Sequence, residues 1–271
     1  PHIGYETRSE VWYIHREGGS WEVQRVDSGG TDVSDLSLAL DSFDLPHIGY
    51  CFAVADCSFS RWELRYARWD GLAWEIETVD SNMAESASLA LDSQDHPSIA
   101  YDDLPNAILT YAHRDGSGWH FEVVDTTAGW VSGISLALDR LDRPHIGYDQ
   151  TYRLKYACWD GSTWHIDTIE NAGWMIGHGV SLALDSLERP HIAYSEWVPV
   201  GDLKYAYWDG VGWQVEDVDT AGNVGGLPSL ALDSWNFPHI GYSRGHPGGN
   251  GVKYAWKGEL GVAKGVVAYL H

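Results

Sequence analysis

The chain has 271 residues, 44% of them hydrophobic, with 15 Trp and 15 Tyr, enough to bury a core and unlike a disordered chain. A formal net charge of −22 argues against nucleic acid or an anionic membrane surface as a partner, since both are gripped by Lys and Arg. No apolar run approaches the ~20 residues of a membrane helix, so no membrane insertion is expected.

In chain order, four short segments recur. Segment B, of the Pro-His-Ile-Gly-Tyr type, starts at Pro1, Pro46, Pro97, Pro144, Pro190 and Pro238, at spacings of 45, 51, 47, 46 and 48 residues. Segment C reads Leu-Lys-Tyr-Ala-x-Trp-Asp-Gly, best seen at 154–161 and 203–210. Segment D begins at Trp21, Trp74, Trp119, Trp164 and Trp213, and segment A, Ser-Leu-Ala-Leu-Asp, at Ser37, Ser88, Ser135, Ser181 and Ser229. All four alternate apolar and polar residues with period two, which predicts strands. Asp-Gly at Asp70-Gly71, Asp115-Gly116, Asp160-Gly161 and Asp209-Gly210 marks a hairpin between C and D.

Four antiparallel strands every ~45–50 residues predict one all-β domain over residues 1–271, a six-bladed β-propeller with four-stranded blades. The chain opens at strand B, so the first blade lacks its inner strand A. Residues 265–271 align with 179–185 and are expected to supply it, pairing the two ends of the chain. The rival reading makes 262–268 an ordinary outer strand. With Pro1 and no initiator Met at the start, the chain is expected to be processed or a fragment of a longer protein.

The Leu-Lys-Tyr-Ala-x-Trp-Asp-Gly-x-x-Trp unit, followed by Ser-Leu-Ala-Leu-Asp-Ser-x-x-x-Pro-His-Ile, resembles tandem repeats of secreted or cell-surface proteins of bacteria and archaea. More distantly it is similar to bacterial and animal β-propeller lectins. The resemblance implies a propeller and an extracellular or cell-surface location. Propellers host many activities, so it implies no particular one. The Asp-Gly-x-x-Trp turn is similar to the Asp-box of sialidases but one residue short, and sialidase activity is not carried over.

Most repeated residues are expected to be structural. His2, His47, His145, His191 and His239 share one strand-B position, with Ser98 in the remaining copy; a tie to Asp41, Asp139, Asp185 or Asp233, or to backbone, is expected. The repeated Trp of segment D and Tyr of segment C are expected to pack between blades against small residues such as Gly4, Gly49, Ala100, Gly147, Ala193 and Gly241.

Variation concentrates in the B–C and D–A connections, which share one face of a propeller, and variable loops on a rigid scaffold are where binding sits. That face is assigned Trp130, Trp174, Trp197 and Tyr152, with Phe52 and Phe59, as aromatic members. Its polar members are Asp102, Asp103, Asp149, His178 and Glu196, with Asp202 and His246. Flat aromatic surface beside carboxylates suits a neutral glycan. No catalytic residue, metal site or cofactor is assigned, although scattered loop carboxylates are the kind of ligand Ca²⁺ takes. Cys51 and Cys57 are read into one long loop, where they could staple it in an oxidising compartment. Three functions compete: a non-enzymatic carbohydrate-binding or adhesion module, favoured; a structural or protein-interaction scaffold meeting another surface protein; and a glycoside hydrolase or lyase with an acidic loop-face site.

Overall fold

The structure, a computed structural model, describes residues 1–55, 60–81, 84–126, 129–171, 176–196, 201–221, 224–244 and 251–258, with the side chains of 55, 60, 176–178 and 244 left aside. Among the described residues every regular element is a strand. Blade 1 holds β1 (His2–Thr7), β2 (Glu10–Glu17) and β3 (Ser20–Ser28). Blade 2 holds β4 (Asp32–Leu40), β5 (Pro46–Ala55), β6 (Ser60–Trp69) and β7 (Trp74–Asp80). Blade 3 holds β8 (Ala87–Leu91), β9 (Pro97–Asp103), β10 (Ile108–Asp115) and β11 (Gly118–Asp125). Blade 4 holds β12 (Val131–Leu138), β13 (Pro144–Gln150), β14 (Arg153–Trp159) and β15 (Trp164–Asn171). Blade 5 holds β16 (Ile176–Leu184), β17 (Pro190–Glu196), β18 (Asp202–Trp208) and β19 (Trp213–Asp219). Blade 6 holds β20 (Val224–Leu232), β21 (Pro238–Arg244) and β22 (Gly251–Trp256). Each sheet is antiparallel and ordered as in the chain, giving a six-bladed β-propeller with blades of three or four strands. Blades 1–3 fall in one compact unit, Pro1–Gly129, and blades 4–6 in another, Trp130–His271. Blade 1 lacks an inner strand of its own, as expected; both segments offered as its partner, 265–271 and 262–268, lie outside the described residues.

The repeated residues explain the blades. The Asp that ends segment A closes the A–B turn: Asp41 Oδ1 accepts the N–H groups of Phe43 and Leu45, both at 2.8 Å. Asp139, Asp185 and Asp233 do the same in their blades. In the C–D turn, Asp70 accepts from Leu72 and Ala73, and Gly71 takes φ +95°, a left-handed conformation that suits glycine.

The strand-B histidines are structural: each takes a strand-C tyrosine on Nδ1, and the expected Asp stands on the Nε2 side, hydrogen-bonded in blade 6. The Tyr66 hydroxyl donates to His47 Nδ1 at 2.5 Å, and Tyr13, Tyr156, Tyr205 and Tyr254 meet His2, His145, His191 and His239 in the same way. The Asp carboxylates stand 3.4–3.6 Å from Nε2 of His47, His145, His191 and His239. Burial pulls His47, His145 and His191 below the ordinary histidine pKa, which keeps them neutral as acceptors of the phenol proton. In blade 3 the Tyr111 hydroxyl donates to Ser98 instead, at 2.9 Å.

Packing between blades follows the expected aromatic pattern. Trp74 meets the Tyr13 ring edge-on at 5.5 Å, Trp119 meets Tyr66 at 5.7 Å, and Trp213 meets Tyr156 at 5.2 Å. The small residues meet aliphatic side chains of the next blade and not the expected aromatic rings: a Cβ on Gly147 would stand 3.2 Å from Val180 and one on Gly49 3.3 Å from Leu89, while one on Gly241 would meet nothing within 4 Å among the described residues. Ser37, Ser135 and Ser181 accept the N–H groups of Leu89, Leu182 and Leu230 in the following inner strand, at 2.9–3.0 Å.

The longest expected loop needs correcting. Residues 51–55 belong to β5, whose register with β6 runs to Ala55 and Ser60. Phe52 is consequently a buried core residue and not part of a loop surface. Cys51 is a fully buried free thiol inside that strand, and Cys57 lies outside the described residues.

Candidate functional site

Each strand D ends in an acidic residue at a bulge. Asp27, Asp80, Glu170 and Asp219 pair with Val11, Leu64, Leu154 and Leu203, where the register slips by one residue. This placement presents the carboxylate to the next blade. The strand-B tyrosine there donates to it: Tyr50 to Asp27 and Tyr101 to Asp80, both at 2.6 Å, Tyr242 to Asp219 at 2.7 Å, and Tyr194 to Glu170. A cation from strand C completes the joint in blades 2, 5 and 6. Arg65 reaches Asp27 at 2.8 Å, Lys204 reaches Glu170 at 2.8 Å, and Lys253 reaches Asp219 at 2.5 Å. The residue two beyond the strand-B tyrosine faces the strand-C cation in blades 2 and 5, and in blade 4, where the cation is Lys155. Phe52 lies 4.0 Å below the Arg65 guanidinium, Gln150 Oε1 accepts from Lys155 at 2.6 Å, and Glu196 lies 3.1 Å from Lys204. These joints were not legible as sites in the sequence, although the recurrence of Asp or Glu after Val or Ile at each strand-D end was present.

Blade 3 departs from this pattern. Thr110 occupies the cation's position, Asp103 the facing position, and a cavity of about 500 Å³ opens there. Asp80, Tyr101, Asp103, Ile108, Thr110 and Phe121 line it. Asp103 is 8% exposed; its Oδ2 accepts from Asn106 at 2.8 Å and its Oδ1 has no hydrogen-bond partner among the described residues.

The other loop residues fall in separate places. Asp102 is buried and serves the backbone, accepting the N–H groups of Glu85 at 2.9 Å and Ser86 at 2.7 Å ahead of β8. Burial pushes its carboxyl up to about 7 despite those donors. Glu196 is held in the Lys204 joint, and the Asp202 carboxyl is raised by burial and by nearby Asp217 and Glu196.

Blade 4 brings three of the expected residues together. β13 and β14 are joined by only Thr151 and Tyr152, both left-handed, at φ 49° and 70°. Such a turn usually takes Asn or Gly, and a β-branched or aromatic residue there holds strain. The Thr151 N–H donates to the Trp130 carbonyl at 3.0 Å, tying the hairpin tip to the residue before β12. Trp130 is 77% exposed and Tyr152 45%. Below them Asp149 is buried, with Oδ2 3.4 Å from the Ser132 hydroxyl and Oδ1 unpartnered among the described residues. Burial pushes Asp149 up to about 7, opposed by the Ser132 hydroxyl and the N–H groups of Arg153 and Tyr152. Trp174, Trp197, Phe59 and His246 lie outside the described residues, as does the side chain of His178. Among the described residues no three His, Cys, Asp or Glu side chains are grouped to hold a metal ion.

No protein-family model matches the chain, and no curated protein does. Solved structures do. The fucose-specific lectin from Aleuria aurantia superposes with a TM-score of 0.66 at 14% identity, covering 99% of this chain and 90% of that one. The SapL1 lectin, solved with alpha methyl fucoside, gives 0.63 at 14%, covering 96% and 87%. An ulvan lyase, a polysaccharide lyase solved with bound GlcA(1-4)Rha3S, gives 0.70 at 10%, covering 96% and 78%. At these identities the likeness establishes the fold.

Proposed function

We propose that the protein is a non-enzymatic carbohydrate-binding module, an adhesion element at a cell surface or outside the cell, which takes a neutral glycan at the loop end of blade 4. The observation that carries this reading is the joint between Trp130 and the Thr151–Tyr152 hairpin. Two exposed aromatic residues are joined there through a hairpin tip in left-handed backbone, beside a strand whose Asp149 carboxyl is buried with an oxygen unpartnered among the described residues. A sugar offers an apolar C–H face for an aromatic surface and hydroxyls for a nearby acceptor, the combination of flat apolar lining and few polar groups that small ligands require. The lectins among the structural neighbours support this class of ligand.

A second reading, a lyase or hydrolase, draws on Asp149 and on the polysaccharide lyase among the neighbours. A carboxyl at about 7 is poised for proton transfer near neutral pH.

The test is retention on a panel of neutral polysaccharides by wild type, Trp130→Ala and Tyr152→Ala, with circular dichroism as the folding control. Retention by wild type is expected, with a loss of about tenfold or more in affinity for each variant and an unchanged fold. Equal retention by all three would remove blade 4 from the site. Release of reducing ends or unsaturated product by wild type, lost in Asp149→Asn, would replace the module reading with the enzymatic one.

A further inference from the structure

Blade 5 gives the template for blade 3. There Lys204 Nζ sits between two carboxylates, 2.8 Å from Glu170 and 3.1 Å from Glu196, and Tyr194 donates to Glu170. Blade 3 keeps three of the four parts. Asp80 replaces Glu170, Tyr101 replaces Tyr194 with its hydroxyl 2.6 Å from Asp80, and Asp103 replaces Glu196. The fourth part is missing, since Thr110 stands where Lys204 stands. No Lys, Arg or His is among the described residues that line the cavity.

Two further observations point to a ligand here. The Asp103 carboxyl lines the cavity nine-tenths buried with one oxygen unpartnered among the described residues, and a buried acceptor left in that state is unfavourable. The cavity is also far larger than a lysine head group, at about 500 Å³, and one wall is apolar. Ile108 and the half-exposed Phe121 and Val123 form that wall.

We propose that the notch between blades 2 and 3 receives the primary ammonium group of an amino sugar, at the place Lys204 Nζ takes in blade 5. The ammonium donates to Asp80 and Asp103, the Thr110 hydroxyl and Tyr101 flank it, and the sugar ring lies along Phe121. The choice of a sugar as carrier rests on the carbohydrate-binding reading; the choice of an ammonium rests on the carboxylate geometry alone.

The experiment is calorimetric titration of wild type with fully deacetylated chitotriose, its fully N-acetylated counterpart, and Nα-acetyl-lysine amide. The deacetylated trimer is expected to bind at least about tenfold more tightly than either of the others. Thr110→Lys supplies the missing cation from within the chain, and is expected to abolish that binding and raise the melting temperature. Asp103→Asn should weaken it by about tenfold or more, whereas Glu22→Gln, the same charge change at an exposed site, should leave it unaltered. Equal binding of the two trimers overturns the proposal, as does binding undiminished in Thr110→Lys. Binding of the lysine amide as tight as that of the amino sugar overturns the assignment to a sugar. Retention on neutral polysaccharide through Trp130 is measured on the same Thr110→Lys protein, so failure at the notch and failure at blade 4 are read separately.

Discussion

Blades 3 and 5 share one design and differ in one residue that matters. In blade 5 the carboxylates of Glu170 and Glu196 are neutralised within the chain by Lys204, which is 14% exposed. In blade 3 the corresponding Asp80 and Asp103 surround a cavity, and Thr110 brings no charge to it. The same acidic pair is thus a structural joint in one blade and a recess in another. An isolated acidic residue reveals little about its role; the residue across the joint decides it.

The largest expected effect lies in blade 5. Lys204→Met leaves two carboxylates together and largely buried, and is expected to cost ~3–5 kcal/mol, whereas Thr110→Val should cost less than ~1 kcal/mol. Chemical denaturation of both variants checks this, and similar losses would erase the contrast between the blades.

Next is a pH effect at the neighbour of Asp103. Asp102 is raised to about 7 by burial, so its protonated form favours the folded state. Its contribution is fully present below the unfolded value of ~4 and is lost as pH rises through about 7, at up to ~1.4 kcal/mol per pH unit. The buried histidines act in the opposite sense: with His47, His145 and His191 lowered, their contribution is present above ~6.5 and lost as pH falls through their folded values. Asp102→Asn keeps an acceptor for the Glu85 and Ser86 N–H groups. Melting curves at pH 5 and 7.5 should therefore shift in the variant's favour at the higher pH, and a constant gap between variant and wild type would refute the assignment.

The smallest effect concerns the phenol–imidazole pair of blade 2, which blade 3 replaces with Tyr111 and Ser98. Tyr66→Phe withdraws the hydrogen-bond donor from buried His47 and should cost ~1–3 kcal/mol. If the change instead leaves the melting temperature untouched, the phenol–imidazole pair does not hold the blade.

The architecture was legible in the sequence because its signals are local and repeat. Segments at spacings of 45–51 residues, Asp-Gly turns and the recurring Trp of segment D and Tyr of segment C carried the blade count, the incomplete first blade and the inter-blade aromatic contacts, whereas the small residues face Leu, Ile and Val and not aromatic rings. The extension of β5 through Phe52 was not legible, since Cys-Phe-Ala-Val-Ala carries no alternation that separates strand from loop. The Asp beside His47, His145, His191 and His239 was legible from their shared hairpin, with Oδ1 taken by the turn N–H groups and Oδ2 facing Nε2; the phenol on Nδ1 was not, since it comes from across the sheet. The candidate site was only partly readable. Trp130, Tyr152 and Asp149 were marked out by standing in variable connections, and their meeting depends on a two-residue turn in a rare conformation. Asp102 and Asp103 are adjacent in sequence, yet one serves the backbone and the other a cavity, because successive strand residues face opposite sides of a sheet.

The hydroxyl links between inner strands bear on how such a chain can change its length. Ser37 accepts a hydrogen bond from the Leu89 N–H of the following blade, as Ser135 does from Leu182 and Ser181 from Leu230. Tyr101, Tyr194 and Tyr242 likewise donate a hydrogen bond from the later blade to the acid of the earlier. The coupling has a direction, and a unit such as blade 5 carries both the donors for the blade before it and the acceptors for the blade after it. Copying one unit in the gene therefore copies both halves of a joint, and a new blade can be accommodated without inventing new chemistry at its borders.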